Sequence, residues 1–157
     1  ALLAKRNFTK ERFKIYHPGG SIGKTLLLVK DIMLKGNKIP FISFNKNIEQ
    51  AVKIISKKNL GIGIIVKSRK VIGIVTDGDI RRGSKKYTGK TKITNLMTRS
   101  PLFISEDISA AKALSIMSDK KITSLIVSSE SDFKKKKKIF SAKGILHIHS
   151  LLKYGME

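Results

Sequence analysis

Residues 61–79 read GIGIIVKSRKVIGIVTDGD, and the fold follows from this stretch. Ile62, Ile64 and Val66 alternate with Gly63 and Ile65. Ser68-Arg69-Lys70 then turns the chain into Val71–Thr76, so the pattern predicts a β-hairpin. Its second strand runs straight into Asp77-Gly78-Asp79, the start of a helix. Upstream, NIEQAVKIISKKNL places Ile48, Ala51, Val52 and Ile55 at helical spacing, which predicts one apolar face. Before that helix stand VKDIM (29–33) and an apolar IPFIS (39–43). The same order then returns: ITNLM from Ile93, PLFIS, a helical DISAAKALSIMSDKK, ITSLIV, KGILHIH and SLLKYG. Met33 matches Met97 at 64 residues, Ile48 matches Ile108 at 60, Val66 matches Val127 at 61, and Gly73 matches Gly144 at 71. The last offset is longer because ESDFKKKKKIFSA extends the second hairpin. A duplicated β-α-β-β-α unit that buries its sheet against its twin predicts one α/β globule with a cleft between pseudo-twofold-related halves.

Composition narrows the class. The 157 residues are 41% hydrophobic, enough for one good core or two small ones. The chain has no cysteine, so it carries neither a disulfide framework nor a thiolate metal site, in keeping with a reducing cytoplasm. Apolar runs such as 62–66 and 71–75 are strand-sized, far short of a membrane span, and ALLAKRNF is too short for a secretory signal. The formal net charge of +22 raises nucleic acid as a partner. Against it, 27 of the 33 basic residues are Lys and six are Arg, whereas base reading and phosphate forks favour Arg. Only 6% of residues are aromatic, too few for a stacking platform. The Lys excess reads as a solvated surface, and Lys134–Lys138 as a mobile hairpin tip of mutually repelling charges.

The remaining segments place the motifs. Residues 1–16 read as two short helices, with Thr9 a weak N-cap. HPGGSIG (17–23) forbids regular structure and makes an exposed turn, and GSKKYTGKTK (83–92) is the polar link between repeats. The second helix is expected to bury Ile108, Ala111, Leu114 and Met117. Met33, Met97 and Met117 read as core or helix-end fillers.

The sharpest chemical feature is GIVTDGD (73–79). With a strand ending at Val75 and a helix starting near Asp79, Thr76 offers a hydroxyl and Asp79 a carboxylate at the junction. Such a carboxylate can accept hydrogen bonds from vicinal sugar hydroxyls, while helix-start N–H groups, with Asp77, Arg81 and Arg82 nearby, can meet a phosphate. The plainer reading is helix capping by Thr76, Asp77 and Asp79. In the second copy His147 replaces the Thr and Ser150 the Asp, so the acid is gone. His147 and His149, two apart, are expected on one strand face; hydrogen bonding to a sugar, phosphate or backbone is preferred there over a metal.

The element order and Gly73-x-x-Thr76-x-x-Asp79 resemble a tandem CBS domain pair (cystathionine β-synthase type). That resemblance implies an α/β module of two β-α-β-β-α repeats behind a short helical linker, usually a ligand sensor. It implies a nucleotide or nucleotide-sugar site in which strand backbone around Ile39, Pro40, Ile62 and Gly63 holds the base. HPGGSIG followed by KTLLLVKDIM, together with the HIHSLLKYG ending, resembles D-arabinose 5-phosphate isomerases, covering essentially the whole chain. Those enzymes interconvert ribulose 5-phosphate and arabinose 5-phosphate on the way to 3-deoxy-D-manno-octulosonate and lipopolysaccharide. The segments implied are 1–28 as the end of a sugar-isomerase (SIS) domain and its linker, 29–83 and 93–157 as the two CBS repeats, and 84–92 between them. By the same match His17 corresponds to an active-site histidine of the parent enzyme. No phosphate-cradling loop or acid pair precedes Ala1, so the chain by itself is not expected to catalyse. The expected partners are an effector, the parent SIS domain and a second copy, joined through the apolar faces of 79–82 and 149–152, with no cofactor, nucleic acid or membrane. The alternatives are an adenine-nucleotide sensor and a dimerisation module without ligand.

Overall fold

The computed structural model describes residues 27–135 and 141–156. The two expected N-terminal helices, the HPGGSIG turn and His17 lie outside them. In chain order the elements are α1 (Val29–Ile32), β1 (Phe41–Ser43), α2 (Ile48–Lys58), β2 (Ile62–Lys67), β3 (Lys70–Thr76), α3 (Asp77–Gly83), β4 (Thr98–Arg99), β5 (Phe103–Ser105), α4 (Ala110–Lys120), β6 (Ser124–Ser128), α5 (Glu130–Lys134), β7 (Gly144–His147) and α6 (Ile148–Lys153). They form two separate sheets, one ordered β1-β2-β3-β4 and one β5-β6-β7. The α/β expectation holds.

Each sheet is built the same way. β1 runs parallel to β2 through Phe41↔Ile64, and β5 parallel to β6 through Phe103↔Ile126. The helices α2 and α4 make those right-sized crossovers. Asn47 and Ser109 are their N-caps: Asn47 accepts the Gln50 N–H at 2.8 Å and Ser109 accepts the Lys112 N–H at 3.0 Å. Strand partners and caps alike correspond at 62 residues (103 − 41, 126 − 64, 109 − 47). This corrects the Ile48–Ile108 and Val66–Val127 matches, which were drawn at 60 and 61. Apolar residues flank the true partner in both places, so similarity alone slides the register.

The helix faces move accordingly. α2 buries Ile48, Ala51 and Ile55 but leaves Val52 37% exposed, and α4 buries Ala110, Ala113 and Met117, with Ile108, Ala111 and Leu114 only partly covered. The β2–β3 turn is two residues, Ser68 (φ 50°) and Arg69 (φ 64°), and Lys70 already belongs to β3. Two left-handed residues in succession are what a right-twisted two-residue hairpin requires. In the second sheet α5 intervenes after β6. Lys134 therefore ends a helix, 3.6 Å from Glu130, and is not part of a bare hairpin tip.

Space groups the elements differently from the order of the chain. One compact unit holds residues 35–102 and the first sheet; the other holds 27–34 together with the second sheet. Thus each sheet is completed by the opening segment of the other repeat. In the first unit Ile93 donates to the Lys46 carbonyl at 2.9 Å, and β4 pairs with β3 through Ile74↔Thr98. In the second, Val29 donates to the Ile108 carbonyl at 2.9 Å and Leu34 bridges Ile145. Glycines make room for both. A Cβ on Gly73 would stand 2.7 Å from Met97 Sδ and 2.8 Å from the Thr98 carbonyl. On Gly144 it would stand 2.5 Å from Met33 Sδ and 2.9 Å from the Leu34 carbonyl. The methionines are packing residues, as expected: Met33 and Met117 are buried and Met97 lies against the first core.

Candidate functional site

Because β1 and β2 are parallel and β3 returns between them and β4, the starts of β1 and β2 and the end of β3 share one end of the first sheet. Ile39 and Pro40 lead into β1, and the Pro40 carbonyl accepts the Ile64 N–H at 2.9 Å. Ile62 pairs with Thr76 across β2 and β3, and the Gly61 carbonyl accepts the Asp77 N–H at 3.0 Å. Gly61, at φ +69°, takes the left-handed conformation, and an added Cβ would lie 3.2 Å from Asp77 Oδ2. Ile39, Pro40, Ile62, Gly63, Thr76, Asp77 and Asp79 therefore gather at a single corner. Gly63 serves packing at that corner: its Cβ would meet Ile42 Cδ1 at 2.3 Å and Ile55 Cγ1 at 3.2 Å.

The helix begins at Asp77, the first residue of the expected DGDIRR opener. Thr76 is the N-cap of α3, Asp77 opens it, and Asp79 is its third residue. Thr76 Oγ1 accepts the Asp79 N–H at 3.2 Å, while Asp79 Oδ2 accepts the Thr76 N–H at 2.9 Å and its hydroxyl at 3.0 Å. This is a capping box, with the acid in the first turn further favoured by the helix dipole. The other carboxylate oxygen, Oδ1, accepts from Arg82 Nη2 at 2.6 Å. Reading Arg82 as a basic neighbour missed this pairing, although its i,i+3 spacing from Asp79 signals it. Arg81 is exposed, and its carbonyl accepts the Ser84 hydroxyl at 2.8 Å.

The second sheet repeats the corner with other groups. Ile148 N–H donates to the Thr123 carbonyl at 2.8 Å, as Asp77 does to Gly61, and Ser124 pairs with His147 as Ile62 does with Thr76. His147 is the N-cap: its Nδ1 accepts the His149 N–H at 3.1 Å, and it is buried. The two histidines do not share a strand face as expected, because β7 ends at His147 and His149 belongs to α6. Their rings meet edge-on at 4.4 Å instead. Ser124 Oγ, which the sequence reading passed over, is buried there without a hydrogen-bond partner. Among the described residues no group of three His, Cys, Asp or Glu could hold a metal ion, and no helix is long and apolar enough to cross a membrane.

A CBS domain model matches residues 29–86 and 93–157. Over 163 aligned residues the chain is 37% identical to arabinose 5-phosphate isomerase KdsD of Salmonella typhi, covering 99% of this chain and 46% of that protein. Uncharacterized protein RP505 of Rickettsia prowazekii is likewise 37% identical, over 97% of this chain and 45% of its own length. The chain thus spans under half the length of these relatives. Among solved structures, the CBS domain pair of protein MJ0100, in complex with 5′-methylthioadenosine and S-adenosyl-L-methionine, superposes with TM-score 0.66 at 26% identity, over 80% of this chain and 93% of that one. A CBS domain-containing protein of Bacillus anthracis gives 0.69 at 18% identity, covering 85% of this chain and 96% of that one. With both repeats matched and the pair fold reproduced, this chain belongs to the CBS domain family as a tandem pair.

Proposed function

We propose that the chain is the regulatory and assembly module of an arabinose 5-phosphate isomerase, and that its first-repeat corner binds a nucleotide or nucleotide-sugar. The observation that carries the reading is the 37% identity to KdsD over 99% of the chain. The corner supports the ligand: Thr76 and Asp79 stand beside strand ends whose Ile39, Pro40 and Ile62 are buried and apolar, a polar-rimmed apolar setting suited to a base and its ribose. The CBS pair of MJ0100, 26% identical, carries adenosine derivatives. The parent enzyme's pathway suggests a cytidine-linked end product as a feedback signal. Self-association through α3 and α6 belongs to the same reading, with Leu152 half-exposed on α6, as does a place in the cytoplasm.

Calorimetric titration with adenine nucleotides, cytidine nucleotides and sugar phosphates tests the ligand. Asp79→Ala is expected to weaken binding by ~1–3 kcal/mol, the scale for losing hydrogen bonds to a charged group. A ligandless dimerisation module is the second reading, favoured by the engagement of both Asp79 oxygens within the protein. Absence of binding across these titrations would select it, whereas lost stability with unchanged affinity in Asp79→Ala would show that Asp79 is only a cap. For the parent enzyme, His17→Ala is expected to lower turnover by ~10²–10⁴; an unchanged rate would end that assignment.

A further inference from the structure

We propose that Arg82 is an internal latch on the first-repeat corner, held by Asp79 and released to a ligand phosphate. The inference rests on reading the corner as a nucleotide site. The Asp79 side chain is only 17% exposed, and its Oδ2 is committed to Thr76. The oxygen left for a ligand hydroxyl is Oδ1, where Arg82 Nη2 sits at 2.6 Å. The guanidinium also folds back over the helix start: a Cβ on Gly78 would lie 3.1 Å from Nη1 and 3.6 Å from Nη2. Helical side chains lean toward the N-terminus, and the missing side chain at Gly78 leaves room for it. Arg82 thus covers both the free carboxylate oxygen and the first turn of α3.

The latch is weak enough to open. The Arg82 side chain is 70% exposed, so solvent replaces most of what it loses on leaving Asp79. A nucleoside offers hydroxyls alone, so the guanidinium it displaces regains only solvent. A nucleotide offers a phosphate, which a planar guanidinium grips through two parallel N–H donors. Arg82 would then discriminate phosphorylated from unphosphorylated ligands with the same base and sugar. The second corner has no such device: Ser150 and Lys153 stand where Asp79 and Arg82 do, each 71 residues on.

The test is calorimetric titration of the 157-residue chain with adenosine and AMP, and with cytidine and CMP, in wild type, Arg82→Ala and Asp79→Ala. Removing the latch is expected to tighten nucleoside binding about threefold to tenfold and to weaken nucleotide binding by about tenfold, the scale of a partly exposed charged contact. Nucleoside affinity that is unchanged or weaker in Arg82→Ala overturns the latch, and weaker binding in Asp79→Ala would then leave the site itself standing. A wild type that binds none of the four ligands overturns the latch.

Discussion

The corners Thr76–Asp79 and His147–Ser150 share a backbone and differ in chemistry. Both join the last strand of a hairpin to a short helix, and both tie the helix's first N–H to the residue before the central strand. The first closes a two-way capping box through Thr76 and Asp79. The second has no acid at the third helical position and caps through an imidazole nitrogen instead. The slots for the exchanged segments kept their chemistry in both copies, Gly73 against Met97 and Gly144 against Met33. Packing at a strand–strand approach tolerates no side chain, whereas a helix start accepts any nearby acceptor. Divergence is therefore concentrated where the fold permits it.

Substituting the two slot glycines tests the half of this comparison in which the copies agree. Gly73→Ala and Gly144→Ala should each cost about 1–3 kcal/mol, since the new methyl meets backbone carbonyl as well as a flexible methionine. Chemical denaturation reads both, and a loss at one site without the other would break the equivalence of the slots. Thr76→Ala should cost about 1 kcal/mol, because the box loses its acceptor and Asp79 loses a donor. Ser150→Ala, at the position lacking a box, should change the same midpoint by less than about 0.5 kcal/mol. Equal effects would mean that the box adds nothing to α3.

Ser150→Asp is expected to stabilise by about 0.3–1 kcal/mol, by returning a carboxylate to the first turn of α6. A destabilised variant would show that His147 has closed that corner to an acid. The smallest effect concerns Lys30, which joins the exchanged segment to its sheet through Asp107 at 2.7 Å. The hydrogen bond to Asp107 holds the Lys30 ammonium above its ordinary pKa, burial opposing. A raised lysine contributes its stability below the unfolded pKa, near 10.4, and loses it as pH rises through the folded value. With both side chains well exposed, Asp107→Asn should cost only a few tenths of a kcal/mol at pH 7. The difference between variant and wild type should shrink as the pH rises past the ordinary lysine range and through the raised folded value; a constant difference would remove the pair.

Much of this was legible in the residues. Helix identity follows from the 48-51-55 spacing, which burial of one face imposes, and the hairpin from two short apolar runs, 62–66 buried on both faces and 71–75 alternating. The candidate corner was legible as well, since Gly73-x-x-Thr76-x-x-Asp79 brings a hydroxyl and an acid to one junction by local geometry alone. Less legible were the register between repeats and the exposure of Val52, which depend on neighbours distant in the chain. The Arg82–Asp79 contact lay within reach through its helical spacing, but its geometry across Gly78 did not.

The sequence by itself determined a duplicated α/β chain, its hairpins and the chemical difference between Thr76–Asp79 and His147–Ser150, all properties of short stretches. Only the tertiary structure decided that Val29–Leu34 completes the second sheet and that 93–99 completes the first. The two opening segments are alike, and either could satisfy a sheet edge by pattern. Which edge each takes depends on backbone pairing and on the methionine-sized spaces at Gly73 and Gly144, and those exist only once distant strands have come together.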